Sequence, residues 1–128
     1  MTIRYALPVA ILAGIGIGAV AVETLHAQAK PPVYVISEIE VSNVEAYAKE
    51  FVPLARAALE KTGGKFIGAS QSPTSLEGAP QKSRITINVY DSLEKAQASR
   101  SSAEYKDARK VGDKYAKFRA YVVEGLAK

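Results

Sequence analysis

The chain of 128 residues contains no cysteine and no tryptophan, and its one histidine is His26. Disulfide stapling and thiol nucleophiles are thereby excluded, and stability has to come from packing. His26 lies in "ETLHAQAKPPVY", three positions before Ala29, where a cut would remove it. A chain beginning at Lys30 has neither imidazole nor thiol. Histidine-based metal sites, catalytic triads and haem ligation by histidine then have no residues to build them. No glycine-rich phosphate loop appears either, because Gly63, Gly64 and Gly68 follow a predicted helix instead of opening one.

What the chain does contain is 48% apolar residues and charges of both signs, the composition of one folded globular domain. The net charge of +4 is unchanged when residues 1–29 leave, since that segment carries only Arg4 and Glu23. Lys106, Arg109, Lys110, Lys114 and Lys117 alternate with acids and tyrosines, the pattern of a solvated helix face; no nucleic-acid partner is expected. Residues 1–29 have Arg4, an uncharged run from Tyr5 to Val22 and a polar end in "AQA", which is the layout of a secretory signal peptide. The alternative is an uncleaved anchor, since 18 apolar residues are at the lower limit for a bilayer span. Pro8, Gly14, Gly16 and Gly18 weaken such a helix. In both cases residues 30–128 are expected to work outside the cytoplasm, as a periplasmic or secreted domain or one held at the inner membrane facing the periplasm.

After the stiff "KPP" spacer, "VYVISEIEV" alternates as a strand, with Val33, Val35, Ser37, Ile39 and Val41 on its apolar side. "SNVEAYAKEFVPLARAALEKTGG" reads as a helix, with Ser42 and Glu45 spaced as a capping box and Gly63 and Gly64 as its stop. Val44, Tyr47, Phe51, Leu54, Ala55 and Ala58 form its inward stripe, and Pro53 predicts a bend. "KFIGAS" is a short strand, and a turn-rich connection with a brief extended piece at "SLEG" leads to the alternating strand "RITINVY". Asp91 with Glu94, and Ser101 with Glu104, are two further capping boxes, so the second helical region is expected to break near Arg100. Tyr105, Ala108, Gly112 and Tyr115 line its inward side, and "FRAYVVEGL" closes the chain as a strand.

The sum is an α+β, ferredoxin-like βαββαβ fold: a four-stranded antiparallel sheet with two helices on one face. The other face, with Tyr34, Ile36, Thr86, Tyr90 and Tyr121, has no cover from its own chain. A second copy placed sheet against sheet is the simplest closed solution, so a homodimer is expected.

The ordered pieces "YVISEIEVSNVEAY", "GGKFI", "LEG", "DSLEKA", "SAEY" and "VVEG", from Val33 to Leu126, resemble the domain-of-unknown-function family 1330 of the dimeric α/β-barrel superfamily. The chain differs from the usual pattern at Ala103, where proline is common, and at Tyr90, where phenylalanine is. The resemblance implies a ferredoxin-like protomer and a dimeric α/β barrel, without an established reaction.

Carboxylates and phenols are the chemistry left. A last strand antiparallel to the first, in a register that sets Glu38 opposite Arg119, places both on the helix-free face near Tyr34 and Tyr121. Asn88 and Tyr90 would join them from the neighbouring strand. These six are the candidate ligand-binding residues, with Glu38 as a proton acceptor; no metal or cofactor is expected. The alternative for them is the ordinary pairs and rim of a dimer interface. Two functions follow: an exported homodimer that binds a small, partly apolar molecule between sheet and helices without turning it over, or, as the superfamily resemblance implies, a cofactor-free isomerase or monooxygenase-like enzyme using Glu38, Asn88 or a tyrosine. Mass measurement of the exported protein is expected to give a chain starting at Lys30; a chain that retains residues 1–29 would establish the anchor instead.

Overall fold

The alternating stretch after the two prolines forms β1 (Val33–Val41). Val33, Val35, Ser37 and Ile39 are buried, while Tyr34, Ile36 and Glu38 are half-buried and Glu40 is exposed. The structure is a computed structural model and describes residues 30–128; the secretory segment expected over 1–29 lies outside the described residues. A helical region follows in three pieces: α1 (Val44–Ala46), a π turn (Tyr47–Phe51) and α2 (Val52–Lys61). Then come β2 (Lys65–Ser70), β3 (Arg84–Tyr90), α3 (Leu93–Ser101), α4 (Ala103–Gly112) and β4 (Ala116–Glu124). The strands make one antiparallel sheet in the order β2-β3-β1-β4, and the helices pack on one of its faces. This is the ferredoxin-like α+β architecture. No strand forms at "SLEG", where the Ser75 hydroxyl instead donates to the carbonyls of Glu77 and Gly78.

Each of the three helix starts lies one residue later than the capping boxes suggest. Asn43, Ser92 and Ser102 accept from the backbone N–H of Ala46, Lys95 and Tyr105, respectively. Two of the displaced residues are engaged elsewhere: the Ser42 hydroxyl donates to the Tyr115 carbonyl, and Asp91 pairs with Lys95. A side chain that finds a tertiary or charged partner leaves the cap to its neighbour. Ser102, in extended backbone, also makes the break between α3 and α4 that was expected near Arg100.

The bend expected at Pro53 is taken up by the π turn just before it. Pro53 lacks an N–H, and the wider turn shifts the ladder, with the Val52 N–H reaching the Tyr47 carbonyl. The buried stripe is accordingly Tyr47, Phe51, Ala55, Ala58 and Leu59, whereas Val44 and Leu54 are exposed.

Two apolar clusters lie between sheet and helices. One gathers Ile39, Tyr47, Phe51, Ala55, Ala108 and Ala116, with Phe118 edge-on to Phe51 at 5.3 Å between ring centroids. The other joins Val33, Val35, Leu59, Tyr90 and Ala96. Gly112 lets α4 approach the first cluster, since a Cβ there would sit 2.6 Å from the Phe51 ring. Gly63, with φ of 86°, ends α2 in the left-handed conformation. Gly112→Ala is expected to destabilise the fold by about 1–3 kcal/mol through overpacking against Phe51, read from the urea midpoint; an unchanged midpoint would refute the close contact.

Candidate functional site

The register of β1 decides where the polar residues of β3 go. Val33, Val35, Ser37 and Ile39 stand opposite Tyr90, Asn88, Thr86 and Arg84, and directly opposed residues share a face. Thr86, Asn88 and Tyr90 are therefore buried beneath the helices, and Ile85, Ile87 and Val89 point to the open face. This reverses the expected placement of Thr86, Asn88 and Tyr90. Alternation has period two and fixes which residues share a side, but a strand with useful side chains on both sides can be paired either way round.

The six candidate residues are thus divided. Tyr34, Glu38, Arg119 and Tyr121 are on the open face, in the register that sets Glu38 opposite Arg119, with 2.9 Å between Glu38 Oε2 and Arg119 Nε. Glu38 Oε1 also accepts from the Gln81 side chain at 3.0 Å. Asn88 and Tyr90 are on the opposite side of the sheet. The Tyr90 hydroxyl shares a 2.9 Å hydrogen bond with Ser99, which is 2.6 Å from the Thr62 hydroxyl, and Thr62 donates to the Ala58 carbonyl at 2.8 Å. Tyr90 is therefore satisfied inside the core, where it ties β3 to α2 and α3.

Asn88 instead faces a cavity of about 80 Å³ between the sheet and the helices. Its apolar wall includes Ile39, Phe51, Leu59 and Phe118, and its polar lining comes from Ser37, Arg84, Thr86, Asn88, Arg100 and Tyr105. Phe66 and Ala69 of β2 and Arg56 of α2 are exposed, which places the mouth at the β2 edge; the Arg56 guanidinium stands 5.8 Å from the Phe66 ring centroid.

The electrostatics of this space are one-sided. Arg84 reaches in from β3 with its guanidinium 5.8 Å from the Tyr47 ring centroid, and Arg100 from α3 at 4.6 Å from that of Tyr105. Arg100 donates to the Tyr105 hydroxyl and, at 3.4 Å, to Ser37 Oγ. No carboxylate is among the described residues that line the cavity. Arg84 Nε, Arg100 Nε and Asn88 Nδ2 are buried without hydrogen-bond partners, and Asn88 is only 1% exposed. Tyr47 offers no counter-charge: burial pushes its phenol above the usual range, outweighing the nearby Arg84 guanidinium, so the hydroxyl stays neutral. Among the described residues no cluster of histidine, cysteine or carboxylate groups could hold a metal ion.

Residues 32–126 match the family described as Domain of unknown function (DUF1330). The chain belongs to that family. No curated protein matches it. Among solved structures, a protein of unknown function from Rhodopseudomonas palustris is similar over 76% of this chain and 84% of its own, at 20% identity and a TM-score of 0.61. SnoaB, a cofactor-independent oxygenase from Streptomyces nogalater, is similar over 77% of this chain and 96% of its own, at 9% identity and a TM-score of 0.57. Likeness at these identities establishes the shared fold.

Arg84 and Arg100 were not among the candidate residues of this DUF1330 protein, and Arg84 shares one side of β3 with Thr86, Asn88 and Tyr90. The available signal was a cation at an alternating position inside a short β-rich run, since an arginine whose strand neighbours are buried is seldom left without a partner. The raised Tyr47 pKa has a definite sign. Its neutral form contributes stability in full below pH 10.0, the ordinary value, and that contribution is lost as pH rises through the higher folded value. Tyr47→Phe is expected to reduce the loss of stability on going above that pH, measured by urea unfolding at stepped alkaline pH; an identical alkaline profile would show that Tyr47 is not held neutral by burial.

Proposed function

We propose that this DUF1330 chain is an exported homodimer that binds a small, partly apolar molecule in the cavity between sheet and helices. The observation that carries this reading is the set of three buried donor nitrogens without acceptors, on Arg84, Asn88 and Arg100, three residues that line one cavity. An unpaired buried donor costs about 1–3 kcal/mol, so a ligand oxygen in that space recovers stability that the empty protein lacks. The cavity well exceeds the ~10–15 Å³ that a single water requires, and its rim is open at β2.

Dimerisation is supported by the open face. Ile36, Ile85, Ile87 and Val89 are half-buried there with Tyr121 and Val123 beside them at 42% and 44% exposure, an apolar surface that the chain does not cover. A domain of 99 described residues buries only about two thirds of its unfolded surface, so covering this face with an identical one is a large relative gain. Export is supported by the layout of residues 1–29.

A second reading, a cofactor-free enzyme, is favoured by the fold shared with SnoaB. Binding without turnover fits this chain better. Glu38, the candidate proton acceptor, is on the far side of the sheet from the cavity; of the candidate enzyme groups the cavity is lined by Asn88, Tyr47 and Tyr105, of which Tyr47 is kept neutral by burial and the Tyr105 hydroxyl accepts from Arg100.

Two measurements check these assignments. Ile87→Glu is expected to convert a dimer into a folded monomer by sedimentation, whereas a wild-type monomer at micromolar concentration would refute the dimer. Ala69→Trp, at the mouth, is expected to abolish the small molecule retained in native mass spectrometry while leaving the melting profile of the ligand-free protein unchanged. Undiminished retention would place the ligand elsewhere.

A further inference from the structure

The chemistry of the cavity narrows what can fill it. The orphan nitrogens on Arg84, Asn88 and Arg100 are all donors, and two belong to guanidinium groups that carry full positive charge. The hydroxyls nearby, on Ser37, Tyr47 and Tyr105, can accept hydrogen bonds but bring no negative charge. Water could satisfy an N–H, yet it leaves two cations facing one low-dielectric space without a counter-ion. A carboxylate meets both needs, since its two oxygens accept from a guanidinium fork and its charge offsets the pair. Ile39, Phe51 and Phe118 provide hydrocarbon contact for the rest of such a molecule. The exposed Arg56 at the mouth adds positive potential along the way in.

We infer that the cavity binds a small organic acid, its carboxylate held by Arg84, Arg100 and Asn88 and its hydrocarbon part against the apolar wall. This rests on the binding reading above and specifies its ligand as an anion.

The test uses charge-matched pairs of similar shape: benzoate with benzamide, and hexanoate with hexanamide. Each is titrated into the exported protein by calorimetry, with native mass spectrometry reporting any molecule retained from the cell. In at least one pair the acid is expected to bind about tenfold or more tighter than its amide, and Arg84→Met and Arg100→Met are expected to remove that preference while leaving weak amide binding intact. Asn88→Asp, which sets a repelling carboxylate in the same space, is expected to abolish acid binding, and it carries the test should either arginine variant fail to fold by circular dichroism. Equal binding of acid and amide, or a retained neutral molecule, would overturn the acid and leave the binding reading standing. Acid binding unchanged in the folded variants would assign it to the outer surface and overturn the site. No binding by any of the four, with nothing retained in the wild-type protein, would overturn the acid and the binding reading together.

Discussion

The pairing of β1 with β3 is the constraint from which the rest of the molecule follows. Once Val33, Val35 and Ile39 turn toward the helices, the residues opposite them on β3 have to turn the same way, because antiparallel neighbours in register share a face. Those residues are Tyr90, Asn88 and Arg84. The helices thus cover a strand that presents a phenol, an amide and a guanidinium, while its isoleucines and valine point away. A polar interior on one side of the sheet and an apolar surface on the other are two results of the same register.

The interior accommodates its polar groups unequally. Tyr90, Ser99 and Thr62 form a continuous hydrogen-bonded chain that ends on the Ala58 carbonyl, so this part of the core is polar and satisfied. Nearer the mouth the same strand and α3 bring Arg84, Asn88 and Arg100 to a space that the surrounding side chains do not fill. The π turn contributes to that space by turning both Tyr47 and Phe51 inward ahead of Pro53, and Gly112 allows α4 to close over Phe51. Local irregularity in the helical layer and an unusual face of the sheet therefore meet at one place. Buried donors without acceptors are the kind of local inconsistency that folded chains keep chiefly where a ligand completes them.

On the outer side the balance is reversed. Ile36, Ile85, Ile87, Val89 and Val123 form the apolar middle, and the Glu38–Arg119 contact sits within a more polar end where Gln81 also reaches Glu38. Edge strands are protected by different means. β2 carries a bulge between Phe66 and Gly68, and β4 carries Lys117 and Arg119 on its outward positions, both of which discourage further strand addition along the sheet while leaving its open face available.

Much of this could be read from the amino-acid order. The alternation of Val33 to Val41, the glycine stop at Gly63, the break after Arg100 and the small inward residues Ala108 and Gly112 are local signals, and local signals specify which elements form and in what sequence. The pairing of Glu38 with Arg119 was one register among those that two long antiparallel strands allow, and the folded sheet selects it. Two of the caps shifted by one residue because Ser42 and Asp91 have partners that capping rules do not see. The side of the sheet to which Asn88, Tyr90, Arg84 and Thr86 belong could not be read, because a period of two looks the same from either face. That symmetry is broken by contact with β1 across the sheet and by Ser99 from a helix above it, and those contacts exist once the chain has folded.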